Sequence, residues 1–161
     1  MSEASTTEAD TASKSAVVYP AIADLVPHGP PMLMLDALVN WSPGLAECRL
    51  TVSAETPFVT DNAVGASLTL EFMAQAVAAC LGYEAYQGGA GVRVGMIIGV
   101  RQMTMAVESI AVGTTLSVFA KRLRGNETLS RFEGEVIDQA TRASLATASM
   151  TLYHAEKPPD A

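Results

Sequence analysis

The chain has 161 residues, of which 49% are hydrophobic and 17% charged, and its formal net charge is -7. This length suits one globular domain with a substantial core and is short for two. The acidic balance argues against a nucleic-acid partner, because phosphate binding needs a basic face, and an anionic partner would have to meet a local basic patch.

Both ends of the chain are predicted to be loose tails, over residues 1–16 and 155–161, around one domain over 17–154. The first segment is rich in acidic and hydroxyl residues, where a secretory signal needs basic and then apolar ones. No uninterrupted apolar run reaches the roughly 18 residues of a membrane-spanning helix. Cys48 and Cys80 have no neighbours at metal-ligand spacing, which favours buried free thiols over a disulfide or a zinc site. We therefore expect a cytoplasmic protein without membrane insertion.

The first half of the domain predicts a helical turn, a hairpin and a long helix. Residues 20–25 can form the turn. Two strand-like runs, over 32–41 and 45–52, flank the turn residues Ser-Pro-Gly, which predicts the hairpin. After a loop over 57–65, the Ala-, Leu-, Met- and Gln-rich segment over 66–87 predicts a helix of about twenty residues that stops at a Gly-Gly pair. Its apolar residues occupy nearly every face, so this helix should be buried.

The second half of the domain predicts strands only. Four β-branched or alternating runs occur there, VRVGMIIGVRQMTM, TTLSVFAKRLR, LSRFEGEVI and ASLATASMTLY, separated by turns at 108–113, 125–127 and 138–140. Two strands, one buried helix and four strands make an α+β arrangement in which an antiparallel sheet must wrap the helix. This is the layout of a hot-dog fold.

His28, one of two histidines, lies in the segment LVPHGPPMLMLD with prolines on both sides. Proline fixes φ and removes an N–H donor, so the segment should be a rigid loop that delivers the ring to a fixed place. An imidazole so placed suits general acid–base chemistry. The alternative is a loop histidine that satisfies a backbone carbonyl, an interpretation that fits His154, beside the C-terminal tail, better still.

Glu71 lies inside the predicted buried helix, where a carboxylate is costly unless it is paired, hydrogen-bonded or neutral. Helical spacing places Ser67, Glu71 and Gln75 on one stripe. An apolar site favours the neutral carboxylic acid, which could act as a general acid. The structural alternative is a glutamate that only hydrogen-bonds its serine and glutamine neighbours.

These segments carry a resemblance to a known family. LVPHGPPMLMLD closely resembles the histidine segment of the 3-hydroxyacyl-[acyl-carrier-protein] dehydratases, the FabZ- and FabA-like enzymes, and LEFMAQAVA is similar to their helix motif. VGMIIGVRQM is similar to the strand that follows in that family. The form of the first two motifs suits the ApeP-like branch, which is associated with aryl polyene lipids. The resemblance implies a hot-dog dimer with the active site at the subunit interface, where His28 of one protomer faces Glu71 of the other.

The implied reaction assigns a role to each residue. His28 removes the proton next to the thioester carbonyl, and Glu71 helps the 3-hydroxyl leave as water. Backbone N–H groups around Gly65 and Ala66 at the start of the helix would stabilise the thioester oxygen.

The remaining predicted substrate contacts are Gln75, Met32 and Met96. The methionines are core side chains by default, and the second interpretation is that they line a tunnel for the acyl chain along the helix. We expect no metal and no organic cofactor. The glycine before the helix stands six positions ahead of Glu71, instead of the five of the housekeeping enzymes.

The implied substrate arrives on an acidic acyl carrier protein with a phosphopantetheine arm. The candidate docking residues are basic: Arg93, Arg101, Lys121, Arg122 and Arg124. The alternative for such residues is a solvated strand edge that discourages aggregation. The expected assembly is a homodimer or higher homo-oligomer, or a heteromer with a related hot-dog subunit.

Two other functions stay open at the level of sequence. A hot-dog thioesterase would use the helix carboxylate to activate water or to attack the thioester. A non-catalytic partner subunit would keep the fold and donate only half of a composite site.

Overall fold

The computed structural model describes residues 16–155, which form a six-stranded antiparallel sheet, a two-stranded sheet and a long helix. The strands of the large sheet are β1 (Ala37–Ser42), β2 (Leu45–Thr51), β4 (Val94–Met105), β6 (Thr115–Gly125), β7 (Leu129–Asp138) and β8 (Ser144–Ala155). Their order is β1-β2-β6-β7-β8-β4. The short strands β3 (Ala63–Gly65) and β5 (Ser109–Ala111) pair with each other. The predicted tails lie almost wholly outside the described residues.

The sheet wraps the helix α1, which extends over Thr69–Gln87. A 3-10 turn, Ala66–Leu68, leads into it. At its C-terminal end the N–H of Gly88 donates a hydrogen bond to the carbonyl of Glu84. Ten of its 19 residues are buried, and it packs against β2, β6 and β7. The predicted α+β arrangement, an antiparallel sheet around one long buried helix, is therefore confirmed.

The helix lies close to the sheet at Gly134 of β7. A Cβ atom at this position would lie 2.6 Å from the sulfur of Met73, so any side chain there would push α1 away. The neighbouring inward positions of β7 carry Phe132 and Val136, both fully buried, which follows from the two-residue alternation of a strand with one face on a core. Gly134 thus sets how deeply the helix lies in the sheet.

The loop before β1 differs from the prediction. The sequence pattern starts a strand at residue 32, whereas β1 begins at Ala37. The backbones of Met32 and Met34 bond to the side chain of Gln75 on α1, so this stretch follows the helix rather than a neighbouring strand. The helical turn predicted over 20–25 is present as a 3-10 turn, Ile22–Asp24.

The strands β3 and β5 were predicted as loop and turn. Each has three residues, which is too few to show an alternation of polar and apolar side chains. Their pairing positions the start of the helix, because the N–H of Ala66, directly after β3, donates to the carbonyl of Glu108, directly before β5, at 2.9 Å.

The segment Ala66–Gln87 is long and apolar enough to cross a membrane by length and composition. Of the window that meets this test, 67% is buried inside the domain. Contact with the sheet therefore accounts for its apolar composition, as in the core helix of a globular domain.

Both cysteines are free and buried, as predicted: Cys48 lies on β2 and Cys80 on α1. The pKa of each thiol is raised to about 12, mainly by burial, and for Cys48 the nearby Cys80 and Glu47 contribute to the same shift. Because the thiolate is the reactive form, neither side chain can serve as a nucleophile at neutral pH.

We expect neither thiol to react with iodoacetamide in the folded chain at mildly alkaline pH, and both to react in concentrated urea. The physical reason is the combination of burial and raised pKa. Mass spectrometry of the intact chain counts the added groups. Rapid labelling of either cysteine under native conditions would contradict the buried placement.

Candidate active site

The loop that carries His28 brings its imidazole to the helix carboxylate of the same chain. The Nε2 atom of His28 lies 3.4 Å from Oε1 of Glu71. The two groups are therefore in contact within one chain, whereas the resemblance implies that they face each other from different protomers. The loop 26–34 follows α1 closely enough for one chain to supply both groups. Their side chains are 28% and 31% exposed, so Glu71 is less buried than its position in the helix predicted.

Gln75 is completely buried and connects the helix carboxylate to the histidine loop. Its Nε2 donates to Oε1 of Glu71 at 2.9 Å and to the carbonyl of Met32 at 2.7 Å. Its Oε1 accepts the N–H of Met34 at 3.0 Å. Gln75 thus fixes the loop against α1 and orients Glu71, whereas no hydrogen bond among residues 16–155 joins Ser67 to Glu71.

Replacing Gln75 with Leu should destabilise the chain by about 3 kcal/mol, because two buried backbone groups lose their partners. The same change should lower turnover of whatever reaction uses the pair, since the loop and Glu71 lose their fixed geometry. Urea unfolding measures the first effect and steady-state kinetics the second. Gln87→Leu, an exposed glutamine at the end of the same helix, is the matched control and should change neither. An unaltered free energy of unfolding in the Gln75→Leu chain would contradict the assigned role.

A cavity of about 450 Å³ opens beside the pair. Its walls are the histidine loop, the exposed side of α1 and the facing parts of β4 and β8. The lining residues are Pro27, His28, Glu71, Ala74, Val77, Ala78, Leu81, Arg93, Gly95, Met96, Ile97, Leu152 and His154. The predicted contact Met96 lies in this wall, whereas Met32 lies outside it.

A second cavity of about 440 Å³ also borders Glu71. Phe58, Leu68 and Leu70 give it apolar walls, and Glu71 and Ile97 line both cavities. Glu71 therefore stands where the two cavities meet, whereas His28 lines the first of them. A third cavity of about 460 Å³ lies across β6, β7 and β8 and contains neither His28 nor Glu71, so we do not assign the chemistry to it.

The structure places the two predicted oxyanion contacts, Gly65 and Ala66, in different settings. Gly65 lines the second cavity, close to Glu71. The prediction for Ala66 is wrong, because its N–H already donates to the carbonyl of Glu108 at 2.9 Å. The pairing of β3 with β5 decides this, and no local sequence signal marks it.

The sequence predicts that His154, beside the C-terminal tail, only satisfies a backbone carbonyl. The structure places it in the wall of the first cavity. It is 3% exposed, and its Nε2 lies 2.8 Å from Oγ of Ser130 on β7. The signal that could have found it is the alternation along β8, which turns Met150, Leu152 and His154 inward together. Burial, and then the charges of Arg93 and Arg122, lower the pKa of His154 from its ordinary value of 6.5.

This lowered pKa makes the stability of the fold depend on pH. Above about pH 6.5 the group is neutral in both states and contributes no pH dependence. Below pH 6.5 the imidazole of His154 is protonated in the unfolded chain but stays neutral in the folded chain. The free energy of unfolding should therefore fall as the pH drops toward the pKa of His154 in the folded chain. Urea unfolding at a series of pH values, compared with His154→Phe, isolates the contribution. Identical pH profiles for the two chains would contradict it.

The five basic residues predicted to dock a carrier do not form one patch. Arg122 pairs with Glu84 at 2.6 Å, Lys121 lines the third cavity, and Arg101 and Arg124 line a separate depression on the sheet. Only Arg93, among these five, lines the cavity with His28 and Glu71.

Structural comparisons define the class of the protein. The zebrafish thioesterase superfamily member 2 aligns with a TM-score of 0.60 and 16% identity, covering 83% of this chain and 89% of that chain. The E. coli PaaI protein from the phenylacetic acid degradation operon aligns with a TM-score of 0.58 and 12% identity, covering 74% and 78%. At these identities the likeness shows the fold alone, and this chain has the predicted hot-dog fold.

The family follows from two further matches. The model of the ApeP-like family, described as ApeP dehydratase, matches residues 20–161. The dehydratase heterocomplex ApeI:P from Xenorhabdus doucetiae contains a chain that aligns with a TM-score of 0.81 and 25% identity, covering 89% of this chain and 94% of that chain. No curated protein sequence matches this chain. The chain belongs to the ApeP-like dehydratase family, as the two sequence motifs predicted.

Proposed function

We propose that this protein dehydrates a 3-hydroxyacyl thioester, carried by an acyl carrier protein, to the trans-2-enoyl thioester in the biosynthesis of a fatty-acid or aryl-polyene type of lipid. The observation that carries the proposal is the contact of His28 with Glu71, 3.4 Å apart in the wall of a cavity of about 450 Å³. Membership of the ApeP-like family supports the reaction type.

His28 and Glu71 divide the proton transfers of the reaction between them. His28 Nε2 takes the proton from the carbon next to the thioester carbonyl, and the electron pair of that bond becomes the new carbon–carbon double bond. The bond from the next carbon to its hydroxyl breaks, and Glu71, in its acid form, gives that hydroxyl the proton that makes it water. The imidazolium then returns a proton to the carboxylate across their short separation. Gln75 holds Oε1 of Glu71 toward the histidine throughout.

The expected assembly partner is a second hot-dog subunit, either another copy or a related chain. In the described sheet, β4 pairs with β8 on one side and is the outermost strand, so its other side is an open edge of the sheet. This edge exposes Met96, Ile98 and Val100, and an open strand that presents apolar side chains favours pairing with another strand. The similarity to a chain of the ApeI:P heterocomplex supports a heteromer.

Mass spectrometry of a carrier-bound 3-hydroxyacyl thioester, incubated with the purified chain at neutral pH, tests the proposal. We expect loss of one water, because one chain supplies both His28 and Glu71. Unchanged substrate that loses water only when a second hot-dog subunit is added would mean that this chain is half of a composite site. Release of the free acid would replace the proposal by a thioesterase.

A further inference from the structure

The outer face of the large sheet carries a basic depression of about 430 Å³, close to the turn between β6 and β7. It extends over four adjacent strands, β6, β7, β8 and β4. Three of its lining residues are arginines on three different strands, namely Arg124 on β6, Arg131 on β7 and Arg101 on β4. The whole chain has a net charge of -7, so three guanidinium groups in one depression form a local basic patch that favours an anionic ligand.

Two of these arginines stand directly opposite each other. Arg124 pairs in register with Arg131 because β6 has one extra residue between Arg122 and Arg124, as in a β-bulge. The extra residue separates the two side chains of β6: Arg122 forms an ion pair with Glu84 on the helix, whereas Arg124 lines the depression. Like charges at directly opposite positions destabilise a sheet, and bulges often re-aim a side chain beside a functional site. An anion between the two guanidinium groups would remove this repulsion.

A hydrogen bond directs Arg131 toward the third arginine. Its Nε donates to Oγ of Ser149 on β8 at 3.1 Å, and Ser149 pairs in register with Arg101 on the far side. The bond therefore draws the guanidinium of Arg131 across β8, toward Arg101, and leaves its terminal nitrogens for a ligand. Between residues 16 and 155 there are two ion pairs, and neither includes one of the three arginines. Their charges are thus not neutralised by a neighbouring carboxylate in that part of the chain.

The number of positive charges indicates the kind of anion. A carboxylate carries one negative charge, whereas a phosphate group carries about 1.5 to 2 at neutral pH. Two linked phosphate groups therefore match three guanidinium groups in charge, and the planar fork of arginine binds phosphate oxygens in pairs. The hydroxyl of Thr151, which lies opposite Arg131 on β8 and also lines the depression, can donate a further hydrogen bond.

We propose that this depression is a second binding site, for a soluble ligand with two or more linked phosphate groups, with Arg131 at its centre and Arg124 and Arg101 on either side. The depression shares no lining residue with the cavity of His28 and Glu71. The inference therefore does not depend on the proposed reaction. Linked phosphate groups occur both in inorganic polyphosphates and in nucleotides.

Calorimetric titration of the full chain with inorganic pyrophosphate and with orthophosphate, at about physiological ionic strength, tests the proposal without turnover. Pyrophosphate should bind about tenfold more tightly or better, because only the linked groups can contact all three arginines. Arg124→Gln and Arg131→Gln should each weaken pyrophosphate binding about tenfold, the usual effect of losing a hydrogen bond between charged groups. Arg142→Gln removes an exposed arginine outside the depression and is the matched control, with unchanged affinity.

Two further measurements guard against a variant that merely misfolds. The side-chain Nε–H resonance of Arg131 should shift when pyrophosphate binds to the wild-type chain. Arg124→Gln should not lower the urea midpoint of the free chain, because it removes the repulsion with Arg131, and pyrophosphate should raise that midpoint only in the wild type.

Equal affinities for pyrophosphate and orthophosphate, or an equal loss in Arg142→Gln, would overturn the inference, because either result describes general attraction to surface cations. Binding of an acidic protein through these arginines, with no affinity for pyrophosphate, would overturn it in favour of a protein interface. Absence of dehydration would contradict only the proposed reaction and would leave this site intact. Competition between tripolyphosphate and ATP then distinguishes the inorganic source from the nucleotide.

Discussion

His28→Ala is expected to lower kcat for water loss from the 3-hydroxyacyl substrate by about 10²–10⁴-fold, the usual contribution of a general base. The imidazole lies 3.4 Å from the carboxylate of Glu71, and alanine leaves no imidazole base at that point of the cavity. KM should change little, because the cavity walls on α1, β4 and β8 stay in place. Steady-state kinetics on a carrier-bound substrate measure both constants.

Glu71→Gln should cause a loss of similar size, since an amide keeps the shape of the side chain but cannot deliver the proton. Because the two groups act in one proton relay, the double variant should lose little more than either single one. Glu84→Gln, the same substitution on the same helix at a residue paired with Arg122, is the matched control and should keep full activity. Retained activity in either His28→Ala or Glu71→Gln would exclude the proposed division of roles.

Gly82→Ala is expected to destabilise the chain by about 3 kcal/mol or more, the upper range for overpacking a core. Gly82 lies in α1, and a Cβ atom there would stand 1.8 Å from the carbonyl oxygen of Leu25. The backbone carbonyl of Leu25 cannot rotate out of the way as a flexible side chain can, so either the loop or the helix has to shift. Leu25 comes just before the histidine loop, and the displacement should therefore also move His28 away from Glu71.

Urea unfolding gives the change in stability, and kcat for water loss gives the change at the site. Gly88→Ala is the control at the end of the same helix, where the added methyl group would meet its nearest atom at an ordinary 3.5 Å. A Gly82→Ala chain as stable as the wild type would show that the loop does not lie against α1 as described.

The sequence by itself determined the long helix, the longer strands and the identity of the two candidate residues, but neither the start of β1 nor the short strands β3 and β5. The alternation of β6, β7 and β8, the turn residues between them and the all-round apolar helix are local patterns, and local patterns follow from neighbouring residues. The position of Gln75 beside Glu71 is also a local feature, because Gln75 lies one helical turn beyond Glu71 whatever the rest of the chain does. Family membership followed from two short motifs that stand in the right order.

Only the tertiary structure decided which groups meet. His28 reaches Glu71 of its own chain because Gln75 holds the loop 26–34, which contains His28, against the helix. The N–H of Ala66 donates to Glu108 because the two short strands β3 and β5 pair. Through the register of strands far apart in the chain, His154 enters the wall of the first cavity with Arg93, whereas Arg101 and Arg124 line a separate depression. Register is set by packing of the whole sheet against its core, and shifting a strand by one residue would turn each of these side chains to the opposite face.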